Sequence, residues 1–142
     1  MNSKMHSDFV LDASVALAWC FADESTEATN QLLEAVLMHK AHVPNLFHLE
    51  ISNIILNAVR RNRISYARMT KYIELLNKLD LQIDSETSNR AFHEILQLSY
   101  SHGLTTYDAA YLELSLRLGL PLASRDKVLC KVAKNLGVAL AC

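Results

Sequence analysis

Residues 103–129 read GLTTYDAAYLELSLRLGLPLASRDKVL, and the way this stretch divides decides the fold. At about 100° per residue, a helix over 107–118 gathers Tyr111, Leu112, Ser115, Leu116 and Leu118 on one side and Glu113 and Arg117 on the other. Asp108 falls in the middle of the apolar side. Gly119 and Pro121 then stop the helix, as Gly just past a C-terminus followed by Pro does. Residues 120–124 are too few for another helix and apolar enough for a buried parallel strand. Asp126 follows where that strand ends and a helix over 127–136 begins. In open α/β sheets this carboxyl edge is where ligands bind.

Upstream, FVLD (9–12) is a short apolar run ending in an acid, read as the first and central strand with Asp12 at its carboxyl end. A short helix over 13–21 follows, with Ser14 as its expected cap. Ser25 or Thr26 opens a helix to about residue 39, and 41–43 is a minimal second strand. Pro44 breaks it, and Asn45 is placed to cap a long helix to about residue 61 that carries Glu50. Ser65 opens a helix to about residue 79, 81–83 suits an edge strand, and 87–100 another helix. Residues 138–141 offer a fifth strand. Strands alternating with helices imply a parallel sheet covered on both faces. The two helices between the second and third strands are expected to form a protruding hairpin bearing Arg60, Arg61, Arg63, Arg68 and Lys71, the most basic local patch.

The 142 residues, with three Gly and two Pro, fit one domain over 8–142 behind a short extension at 1–7. A net charge of −1 announces no global basic field and counts against a passive nucleic-acid binder. Cys20, Cys130 and Cys142 lack metal-site spacing and are odd in number, so they read as reduced thiols. The six histidines (His6, His39, His42, His48, His93, His102) show no paired ligand spacing. Trp19 and Phe21 read as core or interface. The opening MNSKMHSDF lacks a signal peptide's apolar run, and no segment reaches about 18 consecutive apolar residues. The expectation is a soluble, cytoplasmic protein with no membrane contact.

Four acids stand out: Asp12, Glu50, Asp108 and Asp126. For Asp12 and Asp126 helix capping, worth roughly 0.5–2 kcal/mol, is an equal alternative to site chemistry. Glu50 shares a narrow polar stripe with Asn53 and Asn57, and periodicity alone favours its facing solvent. Asp108 is different. The helix dipole contributes about 0.3–1 kcal/mol to a first-turn acid at an exposed site, which does not offset burial of an unpaired charge. Acids gathered at one sheet edge repel and raise each other's pKa unless a divalent cation joins them. An oxygen-only set suits Mg²⁺ or Mn²⁺, whereas zinc recruits His or Cys.

The segments VLDASVALAW (10–19), VPNLFHLEISNIIL (43–56), LTTYDAAYLELSLRLGLPLASRD (104–126) and KVLCKVAKNLGV (127–138) together resemble a PIN-domain ribonuclease, specifically a VapC-like toxin of a type II toxin–antitoxin pair. By that resemblance Asp12, Glu50, Asp108 and Asp126 are the four metal-binding and catalytic acids. Ser14 and Ser124 match the hydroxyl positions beside the first and last acids, and Asn53 a polar position one turn after the glutamate. The implied fold is a three-layer α/β/α domain whose central parallel sheet of four or five strands has the order 3-2-1-4-5. The implied activity is hydrolysis of RNA phosphodiester bonds with Mg²⁺ or Mn²⁺. The charge pattern of Arg60, Arg61, Arg63 and Arg68 reads first as a solvated helix face, with RNA phosphate contact as the lesser alternative. A homodimer and a cognate VapB-like antitoxin are implied too. The antitoxin's tail would cross the groove beside the acids, and promoter DNA would be met only through it, in a toxin–antitoxin hetero-oligomer.

Two rival readings differ in class. Phosphotransfer domains also set aspartates at strand ends, but a dehalogenase-type site wants a second acid where Ser14 stands, and a receiver wants adjacent acids. A non-catalytic PIN-fold scaffold would be marked by lost acids, and all four are present.

Overall fold

Phe9, Val10 and Leu11 form β1 (Phe9–Leu11), and each is 0 % exposed. A strand buried on both faces belongs in the middle of a parallel sheet. In the computed structural model, which describes residues 8–141, β1 pairs in parallel with β2 (Ala41–Val43) on one side and β4 (Leu122–Ala123) on the other. β3 (Leu81–Ile83) pairs with β2, so the order is β3-β2-β1-β4. The chain thus builds outward from β1 first to one side and then to the other. That reversal places a topological switch point between the carboxyl ends of β1 and β4.

The expected fifth strand is reduced to one bridge between Leu122 and Leu140. Leu122 N–H donates to Ala139 O and Ala141 N–H to Leu122 O, both at 2.9 Å. Residues 138–141 therefore extend the sheet beyond β4 without a full strand. Residues 1–7, among them His6, and Cys142 lie outside the described residues.

The helices are α1 (Ala13–Ala18), α2 (Glu27–Val36), α3 (Phe47–Arg60), α4 (Tyr66–Asn77), α5 (Thr87–Arg90), α6 (Leu96–His102), α7 (Thr106–Leu118) and α8 (Lys127–Asn135). A π-helical turn (Ala91–Ile95) joins α5 to α6. Thr26, Ser65, Thr105 and Asp126 cap their helices by accepting a backbone N–H three residues on. Two expected caps are corrected. Ser14 lies inside α1, and its hydroxyl turns to Asp12. Asn45 lies inside a turn closed by Phe47 N–H on Pro44 O, so Leu46 takes the cap position and α3 starts at Phe47.

The face assignment of α7 is also corrected. Ala109 through Ser115 are buried on every side, Glu113 included at 5 % exposure, while Leu116 and Leu118 are 42 % and 41 % exposed. The physical reason is enclosure: α7 lies against β1 and β4 and also against the π turn, α6 and α8. Glu113 tolerates burial because Arg117 donates to it through Nε at 2.9 Å and Nη2 at 3.1 Å. Arg117 also grips Asp84 beside β3 with Nη1 at 3.1 Å and Nη2 at 2.8 Å, which locks α7 to the far edge of the sheet.

Nor does the basic helix pair α3–α4 stand free. The buried Tyr72 of α4 donates its hydroxyl to Ala16 O of α1 at 2.5 Å. Arg68 donates to Trp19 O and Cys20 O. Arg63 lies 3.8 Å over the Phe21 ring and pairs with Asp23 and Glu24. Two of the four arginines expected to meet RNA are thus committed to holding the helix pair on the domain.

Candidate functional site

Asp12 leaves β1 at its carboxyl end and occupies the cap position of α1, yet its side chain makes no capping hydrogen bond. The residue is only 4 % exposed. Ser14 donates to Oδ2 at 2.6 Å and Ser124, at the end of β4, donates to the same oxygen at 2.8 Å. The direction of both bonds is set by the backbone. Arg125 N–H donates to Ser14 Oγ at 2.9 Å and Asp126 N–H to Ser124 Oγ at 3.0 Å, so each hydroxyl, already accepting, turns its proton toward Asp12. Neighbouring strands β1 and β4, with the loop that follows β4, thereby hold one oxygen of one aspartate.

The other acids arrive from three helices. Glu50 lies in the first turn of α3, half-buried, and its Oε1 accepts the Tyr111 hydroxyl at 2.8 Å. Asp108 lies in the first turn of α7, whose cap Thr105 accepts the Asp108 N–H at 3.1 Å. Asp126 caps α8 with Oδ1, which accepts Leu129 N–H at 2.9 Å. The capping alternative therefore holds for Asp126, with one oxygen so engaged, whereas the main short bonds to Asp12 come from the Ser14 and Ser124 hydroxyls, with the Ser14 backbone N–H acting on it besides.

The four carboxylates feel one another. Burial raises the Asp12 pKa, opposed by the Ser14 and Ser124 hydroxyls and the Ser14 backbone N–H and reinforced by the Asp126 charge. Burial also raises Glu50, with Tyr111 opposing and the Asp12 and Asp108 charges adding to the rise. Asp108 is pushed up to about 6 by burial first and then by the Asp12 and Asp126 charges. Burial and mutual repulsion are thus costs that the fold retains at one sheet edge, at the switch point between β1 and β4.

Among the described residues, no three His, Cys, Asp or Glu side chains converge into a ready-made cage for a metal ion. The donor chemistry nevertheless fits a hard cation. Every acid offers oxygen, none of the charge couplings involves His or Cys, and Mg²⁺ keeps several waters while touching only one or two carboxylates. A spread set of acids that repel when bare is compatible with such outer-sphere binding. Of the other expected site residues, Ser14 and Ser124 are at Asp12, whereas Asn53 is exposed on α3 and hydrogen-bonds to none of the acids.

Tyr111 was invisible to sequence reasoning as a polar participant, because the wheel counts it among the apolar residues of α7. It is 0 % exposed. The available signal was its type: a buried Tyr in place of Phe needs a partner for its hydroxyl.

A cavity of about 310 Å³ lies apart from the acids, lined by Phe21, Ile54, Asn57, Ala58, Arg61 and Arg63. It belongs to the outer part of α3 and the α3–α4 turn.

Residues 9–135 match the family model described as PIN domain. Ribonuclease VapC3 of Pyrobaculum aerophilum is 24% identical over 122 residues, which cover 86% of this chain and 92% of that protein. The crystal structure of PAE2754 from Pyrobaculum aerophilum has a TM-score of 0.67 at 20% identity, covering 96% of this chain and 91% of that one. That likeness speaks to the fold.

Proposed function

The chain belongs to the PIN-domain family, and from that premise we propose that it is a divalent-metal-dependent endoribonuclease, the toxin of a VapC-type toxin–antitoxin pair. The observation that carries this reading is the electrostatic coupling of Asp12, Glu50, Asp108 and Asp126 around a doubly hydrogen-bonded, buried Asp12. Similarity to a ribonuclease over most of both chains supports the RNA substrate.

Asp12, Glu50, Asp108 and Asp126 are the residues that would hold Mg²⁺ or Mn²⁺. Such a cation, when bound, polarises a phosphate oxygen and makes a water more acidic. The chain's own part is orientation. Ser14 and Ser124 fix Asp12 Oδ2, and the carboxylate so oriented would be one of those that hold the cation. Asp108, pushed up to about 6 by burial and by the Asp12 and Asp126 charges, would be held ionised by a neutralising cation. One of the carboxylates takes the proton of the attacking water.

Arg60 and Arg61 close α3, the helix that begins beside Glu50, and both belong to this reading as phosphate contacts. At 1.5 Å per residue they lie about 15 Å along the helix from Glu50, a few nucleotides of extended RNA. A cognate VapB-like antitoxin whose tail reaches the acids with a basic side chain would neutralise the enzyme, and a homodimer is the expected assembly.

The test is to map RNA 5′ ends after brief expression of the wild type and of Asp108→Asn. New ends appearing only with the wild type are expected. Cleavage by both at equal rates, or by neither, sinks the proposal.

A further inference from the structure

We propose that Tyr111 is a positioning residue of the carboxylate site, its phenol fixing Glu50 relative to Asp12 and Asp108. The inference rests on the metal-site reading above. Tyr111 is fully buried in α7 and sits one turn after Asp108, while its hydroxyl reaches Glu50 Oε1 on α3 at 2.8 Å, across 61 residues of sequence. The Ala13 backbone N–H acts on the same phenolic oxygen, and Ala13 directly follows Asp12. One oxygen atom is therefore linked to the chain beside the first acid, to the carboxylate of the second, and through its own helix to the third.

The chemistry of the pair explains why this matters. Glutamate has three side-chain torsions, and a half-buried carboxylate without a partner would divide its time among several rotamers. The phenol removes that freedom. It engages Oε1, which leaves Oε2 as the oxygen for a cation, and it does so from a ring locked in the core. A core position that needed only apolar volume would be filled as well by Phe, so the hydroxyl answers a specific demand. Partners that orient a ligand side chain typically govern metal affinity by about 10–100-fold.

The experiment uses the full chain stripped of metal with chelator and titrated with Mn²⁺, bound ion being read from the loss of the free Mn²⁺ resonance. Four proteins are compared with the wild type: Tyr111→Phe, Glu50→Gln, the double variant and Asp108→Asn. Tyr111→Phe is expected to show a native circular dichroism spectrum yet bind Mn²⁺ roughly 10-fold more weakly. In the Glu50→Gln background the same substitution should change affinity less than about twofold, since the two act as one unit. Affinity of Tyr111→Phe within about twofold of the wild type, or an equal loss with and without Glu50, overturns the inference. A merely structural tyrosine would give the second result. Should Tyr111→Phe not fold, the wild type carries the test: Mg²⁺ should shift the Tyr111 ring signals in the NMR spectrum, and an unmoved ring at saturation overturns the inference. Asp108→Asn separates the two failures. If it binds Mn²⁺ as the wild type does, the metal site itself is misassigned and the inference falls with it. If it loses Mn²⁺ while Tyr111→Phe does not, only the role of Tyr111 is lost.

Discussion

Ser124 donates a 2.8 Å hydrogen bond to Oδ2 of Asp12 across 112 residues of sequence. The bond joins the carboxyl ends of β4 and β1, and Ser14 completes it from the other side. Asp12 is the most buried of the four acids, so these donors take the place of the water it has lost.

Ser124→Ala should therefore leave a buried carboxylate short of a partner. A loss of about 1–3 kcal/mol in stability is expected, together with roughly 10-fold weaker Mn²⁺ binding. Urea unfolding and Mn²⁺ titration measure the two effects. Unchanged values for both would show that Ser14 alone suffices.

Asp108→Asn should separate stability from activity. It removes a charge that Asp12, Glu50 and Asp126 oppose, so the metal-free variant should melt at a higher temperature than the wild type. RNA cleavage should fall by roughly 100-fold or more, the scale on which groups at a reacting centre contribute. A variant that is less stable and equally active would contradict both halves.

The pH dependence has a definite sign. Asp108 is pushed up from 3.8 to about 6 in the folded chain, so between those values the folded state binds more protons than the unfolded state. Its contribution then falls as pH rises through that window and stays flat above about 6. Asp84 moves the opposite way, held low by Arg117, so the informative quantity is the difference between wild type and Asp108→Asn. Metal-free wild type should lose melting temperature relative to the variant from pH 4 to about 6, and Mn²⁺ affinity should rise over the same range because binding needs the ionised acid. A constant difference across the range would remove Asp108 from the coupled set.

Arg117→Leu should be among the most destabilising single changes away from the site. It leaves Glu113, whose side chain is 6 % exposed, with only the longer 3.5 Å ion pair to Arg90, and takes the guanidinium from Asp84 at the sheet edge. Breaking a buried pair from one side costs about 3–5 kcal/mol, whereas replacing both partners by apolar groups costs much less. Urea unfolding of Arg117→Leu and of the double variant with Glu113→Leu should show the double variant to be the more stable. The reverse order would mean that the Arg90 ion pair is enough to hold Glu113.

Much of the architecture was legible because it follows local rules. The apolar runs at 9–11, 41–43 and 81–83 are strands in the structure, and alternation with helices leaves few sheet orders open. Asp12 and Asp126 were placed at strand ends by punctuation alone. The misreadings share a cause. Ser14 looked like a cap because capping is judged from neighbours in sequence, but its hydroxyl is oriented by Arg125 N–H, 111 residues away. The α7 wheel assumed one dry face, whereas the helix is enclosed and Glu113 is buried against arginines. Arg63 and Arg68 looked like a free basic patch because nothing local shows Glu24 or the Cys20 carbonyl beside them.

By itself the sequence determined four strands, most of the helix starts and the positions of three acids relative to them, because backbone propensity and apolar periodicity act over a few residues. Only the tertiary structure decided that Glu50 turns inward to Tyr111, that Ser14 and Ser124 share one oxygen of Asp12, and which charges are used up inside the fold. Those outcomes depend on distances between segments far apart along the chain, and hydrogen bonding and charge coupling act through space, not along sequence.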